Sequence, residues 1–80
     1  MEMRREPFIA VSAYRHGVPV AEMLHAYTNP MLIHRADDGF TMIVGPAADA
    51  TLIEAGYVVS DDGLPVIIHA MSPARRKYLR

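Results

Sequence analysis

Twice in this chain a pair of aspartates runs into a glycine between two apolar stretches: Asp37-Asp38-Gly39 and Asp61-Asp62-Gly63. Glycine supplies the left-handed backbone that a tight hairpin turn needs, and aspartate tolerates such turns. Each signal therefore predicts a hairpin. The first joins Met31-Leu32-Ile33-His34-Arg35 to Phe40-Thr41-Met42-Ile43-Val44, which Gly45-Pro46 ends. The second joins a strand over 51–59 to one over 64–71. Short connections make sequential strands antiparallel neighbours, so the four form a meander. Gly56 marks a bulge or a close approach within the third strand. Pro65 belongs at the start or on the edge of the last. Val66-Ile67-Ile68 is apolar on both faces. Such a strand is covered on both sides, or has helices on one face and a partner or groove on the other.

The pattern before residue 30 has a different period. Val20, Met23, Leu24 and Tyr27 fall at i, i+3, i+4 and i+7, one apolar face of an amphipathic helix. Pro19 suits its first turn and Asn29-Pro30 closes it. Residues 7–16 read two ways. Pro7 can open a helix and Gly17 can stop one, while Phe8-Ile9-Ala10-Val11 also suits a strand. A helix is the expectation, because a second helical pattern follows Gly17 at once. At the other end, Ser72 is a strong N-cap and Pro73 stands where the first helical residue should be. The expected fold is α+β: two N-terminal helices packed on a four-stranded antiparallel meander sheet, then a short basic C-terminal helix. Residues 1–80 form a single domain.

Charge is distributed unevenly. The net charge is −1, which is not a nucleic-acid binder's overall balance, yet four of the eight Lys and Arg residues lie within residues 75–80. Arg4-Arg5 is a second cationic group. Aspartate pairs at loop tips pointing away from the basic end would make the surface dipolar and allow local phosphate binding. Cations at a helix start oppose the helix dipole, a cost of a few tenths to about 1 kcal/mol each when exposed. A bound anion reverses that sign.

Composition narrows the classes. Apolar residues make up 51% and charged residues 21%, which is globular and argues against disorder. No apolar run approaches the roughly 20 residues that span a bilayer. The charged start and the polar residues Ser12, Tyr14, Arg15 and His16 do not read as a signal peptide. There is no cysteine, so disulfides and thiolate metal sites are excluded. The expectation is a cytoplasmic protein, small enough to gain stability from a partner subunit.

The order of signals resembles a family. His16-Gly17-Val18 opens a helix, Asn29-Pro30 closes it, and two hairpins follow. A strand then runs into His69-Ala70-Met71 and a basic end. Over roughly residues 12–80 this is similar to small bacterial toxins of the BrnT type, in the RelE/ParE-like superfamily. The resemblance implies a RelE-like fold and a toxin of a type II toxin–antitoxin pair, a ribonuclease that inhibits translation. It implies a cognate antitoxin and RNA as partners, the RNA being ribosome-associated mRNA in one form of the activity. A homodimer or a toxin–antitoxin hetero-oligomer fits the same resemblance. This chain departs from the pattern in its net charge and in having few cations in the middle strands. The alternative is a non-catalytic module of the same fold that binds nucleic acid or protein.

Metal-independent RNA cleavage needs a base for the 2′-hydroxyl, an acid for the leaving oxygen, and cations for the added charge. His69 is the candidate base or acid, since its reference pKa straddles neutrality. Arg75 and Arg76 are candidate phosphate clamps. Lys77 adds charge, and Tyr78 stacks on a base or donates a proton. Catalytic candidates are thus His69, Arg75, Lys77 and Tyr78, with Arg76, Arg80 and His16 as RNA- or phosphate-binding residues. Each has an ordinary reading too. His69 suits a structural histidine, the cations a solvated face, Tyr78 packing, and His16 a helix cap. His25 reads as exposed, and His34 with Arg35 as a surface partner of the Asp37-Asp38 turn. Glu54, alone among apolar neighbours, reads first as solvent-facing, and otherwise as the partner of a sheet histidine or arginine or as a base with raised pKa. No two histidines stand at the i, i+4 spacing of a helical ligand pair, so neither metal nor cofactor is expected.

Overall fold

The computed structural model describes residues 6–80, so the Arg4-Arg5 pair lies outside the described residues. Five strands make one mixed sheet: β1 (Phe8–Ile9), β2 (Leu32–Arg35), β3 (Thr41–Pro46), β4 (Leu52–Val59) and β5 (Pro65–Met71). Their spatial order is β1-β5-β4-β3-β2. Among the described residues there is one α-helix, α1 (Val20–Thr28), with 3₁₀ turns at Val11–Tyr14 and Arg76–Tyr78. Among the described residues no helix is long and apolar enough to cross a membrane.

The expectation of two N-terminal helices on a four-stranded antiparallel sheet is therefore corrected. Phe8 and Ile9 pair in parallel with Val66 and Ile67, and the Ala10 amide donates to the Ile67 carbonyl at 2.9 Å. An unpaired outer edge of β5 would leave its backbone groups open, and the N-terminal segment covers part of it. Competing helix signals were weak. The stretch is rich in β-branched and aromatic residues, offers no capping side chain, and is short for a helix to nucleate. Only the 3₁₀ turn remains, and Gly17 follows it at φ +74°.

The short C-terminal basic helix is corrected too. Ser72–Pro73 is a cis peptide, and Arg75 is extended at φ −71°, ψ 146°. The Ala74 amide donates to the Leu52 carbonyl and the Arg75 amide to the Glu54 carboxylate, both at 2.8 Å. Reaching these two acceptors on β4 holds the backbone extended through Arg75, so helical geometry is confined to Arg76–Tyr78.

Both Asp-Asp-Gly turns form hairpin ends, with Gly39 at φ +88° and Gly63 at φ +83°. The side chains of β3 and β4 alternate between two faces. Ile43, Gly45, Ile53, Ala55 and Tyr57 meet α1, where Met23, Ala26 and Tyr27 are buried against them. Full burial of a Met or Ile side chain contributes about 1.5–3 kcal/mol. The register slips between Gly56 and Tyr57: Gly56 faces His69, but Tyr57 faces Ile67. Ile68 is thus the extra residue of a bulge in β5. A strand normally turns residues i and i+2 to one face. Here the bulge lets Ile67 and Ala70 both point into the helix-side core, while His69 emerges opposite.

The second face of the sheet carries two cross-strand rows. One is His34, Met42, Gly56 and His69; the other is Leu32, Val44, Glu54 and Met71. Phe40 lies over Gly56, where any Cβ would collide with its ring. The C-terminal segment returns over this face, which explains why Thr41 to Gly45 are buried on both sides.

Gly45 sets how closely α1 approaches. A Cβ there would lie 2.5 Å from the Ala26 carbonyl oxygen and 3.0 Å from its Cα. Gly45→Ala is expected to lose about 1–3 kcal/mol in urea denaturation, because the helix must move off β3. Unchanged stability would mean that α1 is not seated this tightly.

Candidate functional site

Glu54 organises the second face. Its side chain is fully buried, in the middle of β4. The His69 Nε2–H donates to Oε2 at 2.8 Å from β5. The Arg75 backbone N–H donates to Oε1 at 2.8 Å. The Arg75 guanidinium grips the carboxylate side-on, through Nε at 3.1–3.2 Å and Nη2 at 2.7 Å. The sequence favours a solvent-facing Glu54, and the structure overturns that reading. The available signal was its isolation: a single carboxylate within Leu52-Ile53-Glu54-Ala55-Gly56, on a strand buried on both faces. A charge there needs partners.

Burial pushes the Glu54 carboxyl up, but the hydrogen bonds from the Arg75 side chain, the Arg75 amide and His69 outweigh it. The group is held below its ordinary range and stays ionised. In return the carboxylate raises the Arg75 guanidinium. An ionised carboxylate only accepts, so the proton between the two groups resides on His69 Nε2. His69 Nδ1 is then the nitrogen left for other chemistry. The His69 side chain is 24% exposed, which leaves it open to a ligand.

The remaining candidates gather around this pair. The His16 ring meets the His69 ring edge-on, with centroids 5.5 Å apart. His16 is carried by the loop after the first 3₁₀ turn. Ser12 Oγ ties that turn to the carbonyl of the bulged residue Ile68 at 2.6 Å. The Tyr78 ring lies 5.2 Å from the Arg75 guanidinium carbon and 5.1 Å from Lys77 Nζ. On its other contacts it is tilted against His34, at 5.7 Å between centroids. His34 Nε2–H donates to the Tyr78 carbonyl at 2.9 Å, so His34 serves the C-terminal turn rather than the Asp37-Asp38 turn. A connected series results: His16, His69, Glu54, Arg75, Tyr78, His34.

Other sequence candidates lie outside that series. Arg76 and Arg80 are exposed and form no ion pair among the described residues. His25 is exposed and its Nδ1–H donates to the Pro46 carbonyl at 2.6 Å. Among the described residues no three His, Asp or Glu side chains group in a way that would hold a metal ion. Comparison with family models, curated proteins and solved structures finds no match to this chain.

The Glu54 contacts make stability depend on acid. A carboxyl with a lower pKa folded than unfolded contributes stability above its unfolded value and loses it as pH falls through the folded one. Glu54→Gln is expected to cost about 1–3 kcal/mol at neutral pH, since it leaves buried donors poorly matched. It should also flatten the loss of stability below about pH 4. Urea denaturation across pH checks both. A variant with the wild-type acid limb would remove Glu54 as its source.

Proposed function

We propose that this protein is an RNA endonuclease that cleaves by 2′-hydroxyl attack, the activity implied by its likeness to BrnT-type toxins. One observation carries the reading: an imidazole held by a buried carboxylate at 2.8 Å, with a second imidazole 5.5 Å from it. The chemistry requires one proton acceptor and one donor near a single phosphodiester. Buried Glu54 holds the His69 ring by Nε2–H, which fixes its orientation and leaves Nδ1 free to act as the base. His69 takes the proton of the 2′-hydroxyl, whose oxygen attacks phosphorus. The bond to the 5′ oxygen breaks, and His16 gives that oxygen a proton. The products are a 2′,3′-cyclic phosphate and a 5′-hydroxyl. The outer Arg75 donors that Glu54 does not engage meet the phosphorane oxygens. Lys77, Arg76 and Arg80 hold flanking phosphates.

His16, read from the sequence as a phosphate-binding residue, takes a catalytic part here because of its contact with His69. Tyr78 becomes a positioning residue, since Arg75, Lys77 and His34 already surround its ring. As a toxin the chain acts in the cytoplasm on RNA and is held inactive by an antitoxin. A second reading has its own support. The inner face of Arg75 is fully engaged by Glu54, which also suits a clamp for the C-terminus in a non-catalytic binding module.

Incubation of the purified chain with RNA in chelator separates the two. Fragments ending in 2′,3′-cyclic phosphate are expected. His69→Ala and His16→Ala should each lower the rate about 10²–10⁴-fold. Salt-sensitive RNA binding without cleavage by the wild type would favour the binding module. Cleavage that survives both substitutions would remove the histidines from the mechanism.

A further inference from the structure

We infer that His34 is a positioning residue for the candidate site, holding the Arg75 guanidinium in place through Tyr78. The inference rests on the ribonuclease reading for its kinetic arm alone. His34 and His69 stand at opposite ends of one cross-strand row, with Met42 and Gly56 between them. At about 4.8 Å per strand the two Cα positions are roughly 14 Å apart, so His34 does not reach the phosphate that His69 serves.

What it reaches is the chain that carries Arg75. Segment 72–80 crosses the sheet with two anchors at its start, Ala74 on Leu52 and Arg75 on Glu54. Beyond Arg75 its described hydrogen bonds to the sheet reduce to one, from His34 Nε2 to the Tyr78 carbonyl. A three-residue 3₁₀ turn has little stability of its own. Without that bond the Tyr78 ring loses its fixed position, and Arg75 and Lys77 both lie on that ring. Arg75 is exposed, so its orientation depends on Glu54 from below and on Tyr78 from the side. Misplacing a group that must meet a transition state by about 1 Å lowers rates by up to 10²-fold.

Two measurements on the full chain test this with His34→Ala and His34→Gln. Glutamine places an amide donor near the position of Nε2 and so retains the bond to the Tyr78 carbonyl. The first measurement follows the Arg75 Nε–H resonance and its protection from solvent exchange by NMR. A slowly exchanging signal is expected in the wild type and in His34→Gln, and a broadened or fast-exchanging one in His34→Ala. The second is steady-state cleavage of a short fluorogenic RNA. His34→Ala should lower kcat about tenfold with little change in KM, and His34→Gln should restore most of it.

Should His34→Ala not fold, His34→Phe replaces it, keeping the ring and dropping the donor. An Arg75 signal and a kcat that are both unaffected by the loss of the donor overturn the inference. So does a fall in kcat with the Arg75 signal intact, which would place the action of His34 elsewhere. If the wild type cleaves no RNA, the ribonuclease reading fails by itself. The NMR arm then decides alone whether His34 positions Arg75.

Discussion

The buried carboxylate of Glu54 is the constraint on which this structure turns. An ionised group taken fully out of water costs several kcal/mol unless donors replace the lost hydration. No single element supplies those donors. β5 contributes His69, and the segment beyond it contributes the backbone and side chain of Arg75. Each of these is oriented by the same two oxygens. The sheet, the histidine and the C-terminal segment are thereby made mutually dependent: removing one leaves a charge for the others to satisfy. This also explains why the chain end is extended rather than helical, because its first free amides are directed at β4.

The bulge in β5 is the second condition. A regular strand would turn Ile67 and His69 to one face, forcing a choice between a core isoleucine and a histidine reaching Glu54. One extra residue removes the conflict. Ile67 stays in the helix-side core and His69 faces Glu54. The carbonyl at the bulge accepts the Ser12 hydroxyl, which fixes the turn leading to His16. One backbone irregularity thus aims one histidine and anchors the approach of the other.

Much of this was legible along the chain, and the remainder failed for identifiable reasons. The hairpins were readable because Asp-Asp-Gly specifies a turn locally, and α1 because its apolar period is helical. The N-terminal segment was readable only as helix or strand, since what decides for Phe8-Ile9 is an open β5 edge distant in sequence. The C-terminal helix signal of Ser72-Pro73 is real in isolation and loses to hydrogen bonds with Leu52 and Glu54, which lie about twenty residues earlier. In the candidate site, His69 and the cations stood out by concentration. Glu54 and His34 did not, because what distinguishes them is what faces them across the sheet. Gly56 signalled an irregularity, though the extra residue is Ile68 on the neighbouring strand.

The weak overall charge is compatible with a local anion site once the geometry is considered. Glu54 and Arg75 nearly cancel at a distance, so the pair serves orientation more than attraction. On the proposed reading, attraction would fall to Arg76, Lys77 and Arg80, which are exposed in the same C-terminal segment as Arg75. The aspartate pairs of the two Asp-Asp-Gly turns sit at the far end of the sheet. Five residues of β4 separate Glu54 from the turn after Val59, about 17 Å at 3.3 Å per residue. Screening at physiological salt acts over roughly 8 Å, so a phosphate at the histidines responds to the nearby cations and hardly to those turns. For a domain this small the net charge of −1 averages over two ends that a bound phosphate never meets together.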